Sequence, residues 1–308
     1  MKKESEKKKH QNQVTPNDKI FHDYICQSNC FLLEFLLKNV KNQSRNNIKT
    51  LLSNRQILVN KKTETKFNYE LKENDIVTLS IIPDGHKTKI PCPFQILYED
   101  NNYIAINKPS GILSVNLDEG KMKNAFKLMR DYLREINPKE QLFITHRIDK
   151  DTSGVLLFTK NLMAHDLLQD SWNELVIKRE YVAICEGIFE KKKGTIISNI
   201  AEGDTKLCYS TKNEKIGKKA ITHYEVIKES DKLSLVSVNI DTGRKNQIRV
   251  HMQDVNHPII GDKKYHTNLS ILNRLGLHAR TLTFIDPISS KEINIVSPIP
   301  IEFKKLFK

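Results

Sequence analysis

The chain has 308 residues, of which 38% are hydrophobic and 28% are charged. This length is typical of about two domains, and the composition is that of a folded protein rather than a disordered chain. The 50 Lys and Arg residues exceed the 37 Asp and Glu residues and give a formal net charge of +13. Such an excess favours a polyanionic partner, chiefly nucleic acid, although a solvated lysine-rich surface would have the same composition.

The sequence predicts a cytoplasmic protein with no membrane partner. No apolar run reaches the roughly 18–20 residues that cross a bilayer. The N-terminus lacks the apolar core of a secretion signal, and we predict a charged, disordered tail over residues 1–28. The five cysteines are scattered, which indicates a reducing compartment rather than a disulfide framework. No second Cys/His pair completes a site with Cys26 and Cys30, so we expect no metal.

The N-terminal part of the chain is the more basic. Residues 1–90 contain 17 Lys and Arg against 10 Asp and Glu, which is more than half of the total excess. Apolar spacing predicts a helix over residues 32–40 and a second short helix near 48–52, followed by strands at 57–60 and 76–81. Basic side chains fall three or four residues apart on the two helices, where they could form one stripe: Lys38, Lys41, Arg45 and Lys49.

This arrangement resembles an S4 RNA-binding domain over residues 29–82. The segments that carry the resemblance are Ser44-Arg45, Leu51-Leu52, Ile57-Leu58-Val59-Asn60 and Glu73-Asn74-Asp75-Ile76-Val77. The resemblance implies that the basic stripe binds RNA. Gln56 and Asn74 stand where that family usually has glycine, and a small α/β cap with solvated lysines would explain the same pattern. Residues 83–92 are rich in turn formers and predict a linker.

Residues 93–308 form the second predicted domain. Short β-branched runs, such as 103–106, 221–227 and 233–238, alternate with a few helical patterns. Because regular βαβ alternation is missing, we predict an α+β fold with a mixed, largely antiparallel sheet. Its most distinctive segment is residues 145–160, in which a charged cluster leads through Gly154 into an apolar run that predicts a buried strand.

That segment, with His146-Arg147-Ile148-Asp149 and Thr152-Ser153-Gly154, closely resembles the HRLDxxTSG signature of the RluA-type RNA pseudouridine synthases. Three more segments occur in the family's order: a KPxG turn at residues 108–111, a K-x-Y-x-A-x-x-x-G strand at 178–187, and a TGRxHQIRVH motif at 241–251. Asn246 replaces the usual histidine of the last motif. Residues 261–265 and 277–279 also resemble the family's closing strands, so the resemblance spans about residues 93–303.

The resemblance implies a role for each candidate site residue. Asp149 would be the catalytic aspartate, and Arg249 would be the arginine that pairs with it. Tyr181 would present its ring and hydroxyl to the base, and Arg147 would help to hold the flipped arrangement. Alone, each has an ordinary explanation: a strand-end carboxylate, a surface arginine or a half-buried strand tyrosine. Lys108, in the KPxG turn, is interpreted as architecture.

We therefore predict an RNA pseudouridine synthase that isomerises specific uridines through base flipping and needs no cofactor or metal. The resemblance suggests large-subunit ribosomal RNA as the substrate, with transfer RNA as the open alternative, and no obligate protein partner is expected. The sequence does not decide whether Asp149 attacks the sugar, attacks the ring or assists a glycal route. The rival hypothesis is a non-catalytic RNA-binding or ribosome-assembly factor on the same fold. A DNA-binding protein is a weaker rival, because no helix-turn-helix or zinc-finger pattern is present.

Overall fold

The computed structural model describes residues 21–40, 44–80, 91–116, 123–265 and 271–307. The chain divides into two compact units, residues 1–91 with 133–139 and residues 92–132 with 140–308. Up to residue 80 the secondary-structure elements are, in chain order, β1 (Phe21–Ile25), β2 (Cys30–Phe31), α1 (Leu32–Asn39), α2 (Arg45–Ser53), β3 (Ile57–Val59), β4 (Lys62–Thr63), β5 (Glu70–Leu71) and β6 (Ile76–Ser80).

The N-terminal unit packs α1 and α2 on a four-stranded antiparallel sheet with the order β1-β6-β3-β4. The apolar positions of the two helices recur at helical spacing, and so they share one buried cluster with the strands: Leu32, Leu33, Leu36, Ile48, Leu52, Ile57, Val59 and Val77. Helix α2 begins earlier than its apolar pattern predicts. The Ser44 side chain accepts a hydrogen bond from the Asn47 amide at 3.2 Å and so caps the helix at Arg45.

The predicted tail needs one correction. The sequence predicts disorder over residues 1–28, but Phe21–Ile25 form β1 and pair with β6 along their whole length. Cys26, which follows the strand, is buried in the core of the unit. Strand pairing and this buried side chain hold a segment whose charged neighbours suggested disorder. The remainder of the tail before residue 21, the linker residues 83–90 and Lys41 lie outside the described residues.

The second unit is built on one large sheet. The elements of the chain after residue 91 are β7 (Gln95–Glu99), β8 (Tyr103–Lys108), α3 (Ala125–Ile136), β9 (Phe143–Ile144), β10 (Ser153–Thr159), α4 (Leu162–Asp170), α5 (Trp172–Leu175), β11 (Val176–Glu186), β12 (Lys193–Glu202), β13 (Cys208–Thr211), β14 (Lys218–Glu229), β15 (Leu233–Ile240), α6 (Gln247–Asp254), β16 (Leu277–Ile285), β17 (Glu292–Val296) and α7 (Ile301–Lys305).

The sheet has 11 strands, and its main order is β13-β12-β14-β15-β11-β16-β10-β8-β7, with β17 on β16 and β9 on β10. The pairing of β10 with β16 is parallel, and the other pairs are antiparallel. All seven residues of β10 are buried, which confirms the buried strand predicted from its apolar run. The predicted strands at 103–106, 221–227 and 233–238 are also confirmed, as parts of β8, β14 and β15.

Both faces of strand β11 are covered, which fixes where its side chains point. Ala183 and Cys185 pack in one cluster with residues of α6. Val182 and Ile184, which alternate with them, pack with Phe303 of α7 in another. Because side chains alternate along a strand, the residues of β11 that continue the Ala183 series are directed to the α6 side. Within the described ranges, no helix is long and apolar enough to span a bilayer.

Candidate active site

The loop that carries Asp149 joins β9 to β10, and side-chain hydrogen bonds fix its start to β10. The Thr145 hydroxyl donates to the Leu157 carbonyl at 2.7 Å, and the Leu157 amide donates to Nε2 of His146 at 3.0 Å. Burial and then the charge of Arg179 lower the pKa of His146 to about 4. The imidazole is therefore neutral at pH 7 and can accept this bond. The loop thus leaves a rigid edge of the sheet.

The turn at residues 108–111 holds the next part of this loop. Lys108 is fully buried and donates from Nζ to three backbone carbonyls at 2.7–3.0 Å, those of Pro109, Ile112 and Lys150. Burial lowers the pKa of Lys108 to about 7, while three carbonyl acceptors match the three donors of an ammonium group. The Gly111 amide also donates to the Lys150 carbonyl, at 2.9 Å. The turn is architectural, and its lysine fixes the backbone next to Asp149 from a buried position.

Gly154 allows the loop to enter β10 against the neighbouring strand β16. Its φ is +112°, and a Cβ atom at this position would lie 2.0 Å from the carbonyl oxygen of Ala279. The two strands are in register there, with Ser153 opposite His278 and Gly154 opposite Ala279. Because any side chain would collide with the facing backbone, glycine is needed for this close approach.

Strand β11 directs Arg179 and Tyr181 to the α6 side of the sheet, in series with Ala183. Tyr181 is partly buried, and this burial raises its pKa to about 12. The phenol therefore stays protonated at neutral pH and presents an O–H donor together with an aromatic face.

Helix α6 brings Arg249 to Asp149, with 3.6 Å between Nη1 and Oδ2. The same guanidinium makes two shorter bonds, in which Nε and Nη2 each donate to a carboxylate oxygen of Asp262 at 2.6 Å. The Asp262 side chain is fully buried, whereas that of Asp149 is 32% exposed. Burial alone would lower the pKa of Arg249, but hydrogen bonding to Asp262 and the charges of both carboxylates raise it. Arg249 therefore stays protonated. Its two hydrogen bonds to Asp262 hold the guanidinium in place, and the same group also faces Asp149.

Asn246 orients the same arginine from the start of α6. Its backbone is left-handed, with φ of 56° and ψ of 18°, a conformation that asparagine adopts more readily than most residues. Its Oδ1 accepts from Nη1 of Arg249 at 3.1 Å, and its Nδ2 donates to the Tyr265 hydroxyl at 3.3 Å. The Arg249 guanidinium lies over the Tyr265 ring, 5.0 Å from its centroid. Asn246 therefore links the arginine to the tyrosine beneath it.

These groups border one cleft of about 690 Å³. The structure brings Arg147, Asp149, Tyr181 and Arg249 together around it, although they come from three separate segments of the chain. Arg147 is exposed on the Asp149 loop. Further cations border the cleft and suit a polyanionic ligand: Lys150, Arg179, Arg244, Lys245 and Lys264.

The basic residues predicted on the first two helices belong to the N-terminal unit. Lys38, Arg45 and Lys49 are all exposed there. The Lys49 ammonium lies 5.5 Å from the centroid of the Phe67 ring, which is 51% exposed. A cation beside an accessible aromatic ring is a surface that nucleic acid can use. Their RNA-binding role stays a prediction.

Comparison with known proteins decides the family. A family model described as RNA pseudouridylate synthase matches residues 102–254. The uncharacterized RNA pseudouridine synthase YhcT of Bacillus subtilis is 34% identical over 276 residues, which cover 88% of this chain and 90% of that protein. The chain belongs to the RNA pseudouridylate synthase family. The predicted family and the predicted class of enzyme, an isomerase that forms pseudouridine in RNA, are thereby confirmed.

Other members of the family are similar along nearly their whole length. Ribosomal large subunit pseudouridine synthase C of Buchnera aphidicola subsp. Baizongia pistaciae is 34% identical over 302 residues and covers 89% of this chain, with 91% of that protein matched. Ribosomal large subunit pseudouridine synthase D of Blochmanniella floridana is 30% identical, with 90% and 93% covered.

Two solved structures share the fold of this synthase. Human RNA Pseudouridylate Synthase Domain Containing 4 has a TM-score of 0.56 at 24% identity. The match covers 68% of this chain and 90% of the human chain. Human RNA Pseudouridylate Synthase Domain Containing 1 has a TM-score of 0.58 at 21% identity and covers 72% and 91%. The predicted α+β fold with a mixed, largely antiparallel sheet is confirmed.

Sequence reasoning missed several residues that build this cleft and its surroundings. Asp262 and Tyr265 stand in a segment that the sequence predicts to be a closing strand, but residues 261–265 form a turn that places Asp262 under Arg249. Trp172 and Arg179 border the cleft but are not among the site residues that the sequence predicts. The signal for Asp262 was an acidic residue next to a glycine in a segment that resembles the family. The position of Trp172 has no local signal.

Proposed function

We propose that this synthase isomerises uridines of large-subunit ribosomal RNA and that Asp149 is its catalytic group. The observation that carries the assignment is the partly exposed Asp149 carboxylate in the cleft, 3.6 Å from a guanidinium that Asp262 holds in place. The names of the Buchnera and Blochmanniella relatives support this choice of RNA. The rival target, transfer RNA, is an outcome of the same test. We expect the enzyme to act in the cytoplasm.

In the proposed reaction, the bond from C1′ of the ribose to N1 of uracil breaks, the ring turns, and a bond from C1′ to C5 forms while the C5 proton leaves. A carboxylate suits either a covalent or an electrostatic role at this stage. The Arg249 cation stabilises the charged form of Asp149. Tyr181 would lie against the uracil ring, where stacking contributes about 1–3 kcal/mol. Arg147 would help to hold the extruded nucleotide.

Substitution of Asp149 tests the catalytic assignment. Asp149→Asn keeps the size of the side chain and removes its charge, so proton release from C5-tritiated ribosomal RNA should fall to background while RNA affinity changes by only a few-fold. Asp151→Asn is the matched control, because Asp151 borders the same cleft two residues away and makes its described hydrogen bond through the backbone carbonyl. Normal turnover by Asp149→Asn would refute the assignment.

The target is tested by mapping pseudouridines in total RNA from cells with and without this protein. The proposal expects missing sites in large-subunit ribosomal RNA. Sites missing only from transfer RNA would refute the ribosomal target but keep the enzyme. RNA binding by the wild-type protein without any proton release would favour the non-catalytic RNA-binding or assembly factor.

We also propose that residues 29–82 form an S4-like domain that binds the phosphate backbone of RNA. Its exposed cations Lys38, Arg45 and Lys49 support this role, with Lys41 added from the sequence pattern. Affinity for RNA falls as the salt concentration rises. Removing one cation that binds a phosphate makes this dependence shallower, by about 0.7–0.9 in the slope of log affinity against log salt. The combined Gln variant of the three described cations should lower that slope by roughly 2–3. The same change at Lys193, Lys228 and Lys291, which are exposed on the second unit, is the control.

A further inference from the structure

One end of the cleft contains groups that the isomerisation does not use. A second cavity of about 80 Å³ adjoins the cleft and is bordered by Asp149, Tyr181 and Arg249. The larger cleft of about 690 Å³ shares these residues but extends further. The side chains that border only this extension include His146, Gln169, Trp172 and Arg179, and we name it the Trp172 subsite. The proposed reacting groups border the small cavity, where the target uridine would bind. The extension then has room for another part of the RNA.

Arg179 places a cation with spare donors in this subsite. It is partly buried, and that burial lowers its pKa. Its Nη2 donates to the backbone carbonyl of Asp241. The Asp241 carboxylate is engaged elsewhere, 2.9 Å from Nε2 of His223. In the part of the chain that the structure describes, no carboxylate lies within 4.0 Å of the Arg179 guanidinium. A partly buried charge is usually paired, so the free donors of this guanidinium suit an anion supplied by a ligand.

The loop at residues 241–244 comes close to the Arg179 guanidinium. A Cβ atom at Gly243 would lie 3.1 Å from Nη1 of Arg179, which is tighter than an ordinary contact. The glycine therefore allows the arginine to lie against the 241–244 loop while it borders the cleft.

Trp172 and His146 supply an aromatic surface next to this cation. Their ring centroids are 5.5 Å apart and their planes are tilted by 32°. The His146 ring is neutral at pH 7, so this aromatic surface carries no formal charge. Trp172 begins the short helix α5 and is partly exposed. An uncharged aromatic face beside an arginine is the combination that binds a nucleobase and its phosphate.

We propose that the Trp172 subsite binds the nucleotide adjacent to the target uridine, with its base stacked on Trp172 and a phosphate on Arg179. This inference rests on the proposed function and deepens it. Extrusion of the target uridine into the Asp149 cavity leaves its neighbour unstacked and joined to it by one phosphodiester. A platform that stacks this neighbour compensates part of the cost of unstacking the RNA. The contact selects single-stranded RNA at the modification site and carries little base specificity, because every base has an aromatic face.

The test uses the full chain and a fluorescein-labelled five-nucleotide oligouridylate, which is short enough to sample the cleft. Trp172→Leu should weaken its binding by about 5- to 150-fold, the equivalent of the 1–3 kcal/mol that one base stack contributes, without changing the salt slope. Arg179→Gln should weaken binding and lower the salt slope by about 0.7. The controls are Tyr209→Leu, an exposed tyrosine on β13 that does not border the cleft, and Lys291→Gln. Both should bind as the wild type does.

Trp172 is also its own reporter, because the chain has one tryptophan. The unlabelled oligouridylate should quench its intrinsic fluorescence in a saturable titration, and Arg179→Gln should shift that curve to higher concentration. This measurement decides the matter even if Trp172→Leu folds poorly. Unquenched fluorescence at saturating oligouridylate, or unchanged affinity in Arg179→Gln, would overturn the subsite. Normal proton release from ribosomal RNA by the wild type would then leave the proposed function standing.

Discussion

Removal of the Arg249 guanidinium should separate a stability effect from a catalytic effect. Arg249→Met deletes the two 2.6 Å bonds to Asp262 and the 3.6 Å contact with Asp149. The two carboxylates respond differently because Asp262 is fully buried and Asp149 is 32% exposed. Water can solvate Asp149 after the change, but it cannot reach Asp262. The loss of stability should therefore come from Asp262 and the loss of turnover from Asp149.

The size of the stability loss follows from the surroundings of Asp262. Breaking a buried ion pair by removal of one partner costs about 3–5 kcal/mol. Asp262 keeps two backbone donors, the amides of Lys264 at 2.9 Å and Tyr265 at 3.2 Å, so we expect the lower end, about 3 kcal/mol. In a domain of this size that corresponds to a fall in Tm of roughly 6–12 °C.

A second substitution separates the two effects. Asp262→Asn added to Arg249→Met removes the stranded charge, and its amide oxygen can still accept from the two backbone amides. Most of the lost Tm should return, while proton release from tritiated RNA should stay low because Asp149 still lacks its cation. Arg280→Met is the control, since this partly exposed arginine contacts Glu180 at 3.8 Å and should change the stability little.

Thermal unfolding and proton-release assays on the four proteins test both effects. Equal Tm values for Arg249→Met and the double variant would show that Asp262 is not the source of the loss. Recovery of turnover in the double variant would show that the Arg249 contact with Asp149 is unnecessary.

Three further predictions concern the backbone and a buried histidine. Gly154→Ala should abolish soluble, folded protein because its Cβ would lie 2.0 Å from a facing carbonyl oxygen, whereas Gly111→Ala, with open space and φ of +88°, should cost only about 1–2 kcal/mol in urea unfolding. Asn246→Gly and Asn246→Ala should lose similar turnover, because both remove the side-chain oxygen that accepts from Arg249. Only the alanine variant should also be strained by the φ of 56°, which costs about 1–2 kcal/mol of stability. Equal stabilities of the two variants would refute this. Burial, with the Arg274 charge, lowers the pKa of His278 from 6.5 to about 4. Between about pH 6.5 and 4, His278 is therefore protonated in the unfolded chain and neutral in the folded protein. Its contribution lowers the free energy of unfolding by about 1.4 kcal/mol per pH unit as the pH drops through this range. His278→Asn should reduce the slope measured by urea unfolding by about 1.4 kcal/mol per pH unit and leave the similar contribution of His146, whose pKa is also lowered to about 4. An unchanged slope would contradict the assignment.

Local pattern was sufficient for much of the secondary structure. The apolar run after Gly154 predicted β10, and its seven residues are buried because helices cover both faces of the strand. Val155 and Leu157 pack with α4 on one face, and Phe158 contacts Phe126 of α3 on the other. The apolar spacing over 32–40 predicted α1 in the same way. These elements are visible in sequence since the period of their apolar residues is set within a few turns or pleats.

The arrangement around Arg249 could not be derived from local pattern. Its contact with Asp149 was expected only from resemblance, and spacing in the chain gave no physical reason for it. Its stronger bond to Asp262 depends on a turn that the sequence predicted to be a strand. Strand β1 was missed for a related reason, because its pairing with β6 is made by residues more than fifty positions away. Tertiary contacts decide such segments, and their own composition does not.

The way in which Asp149 is held suggests which partner moves during the reaction. The backbone of the residue before it is tied to Ser114, whose hydroxyl donates to the Ile148 carbonyl at 2.7 Å and accepts from the Ile148 amide at 3.1 Å. The carbonyl of the residue after it, Lys150, accepts from buried Lys108 at 3.0 Å. A carboxylate fixed on both sides and faced by a locked arginine is already arranged before substrate enters, as electrostatic catalysis requires. In the proposed reaction the moving group is then the uracil, which turns within a site whose charged groups are held by these contacts.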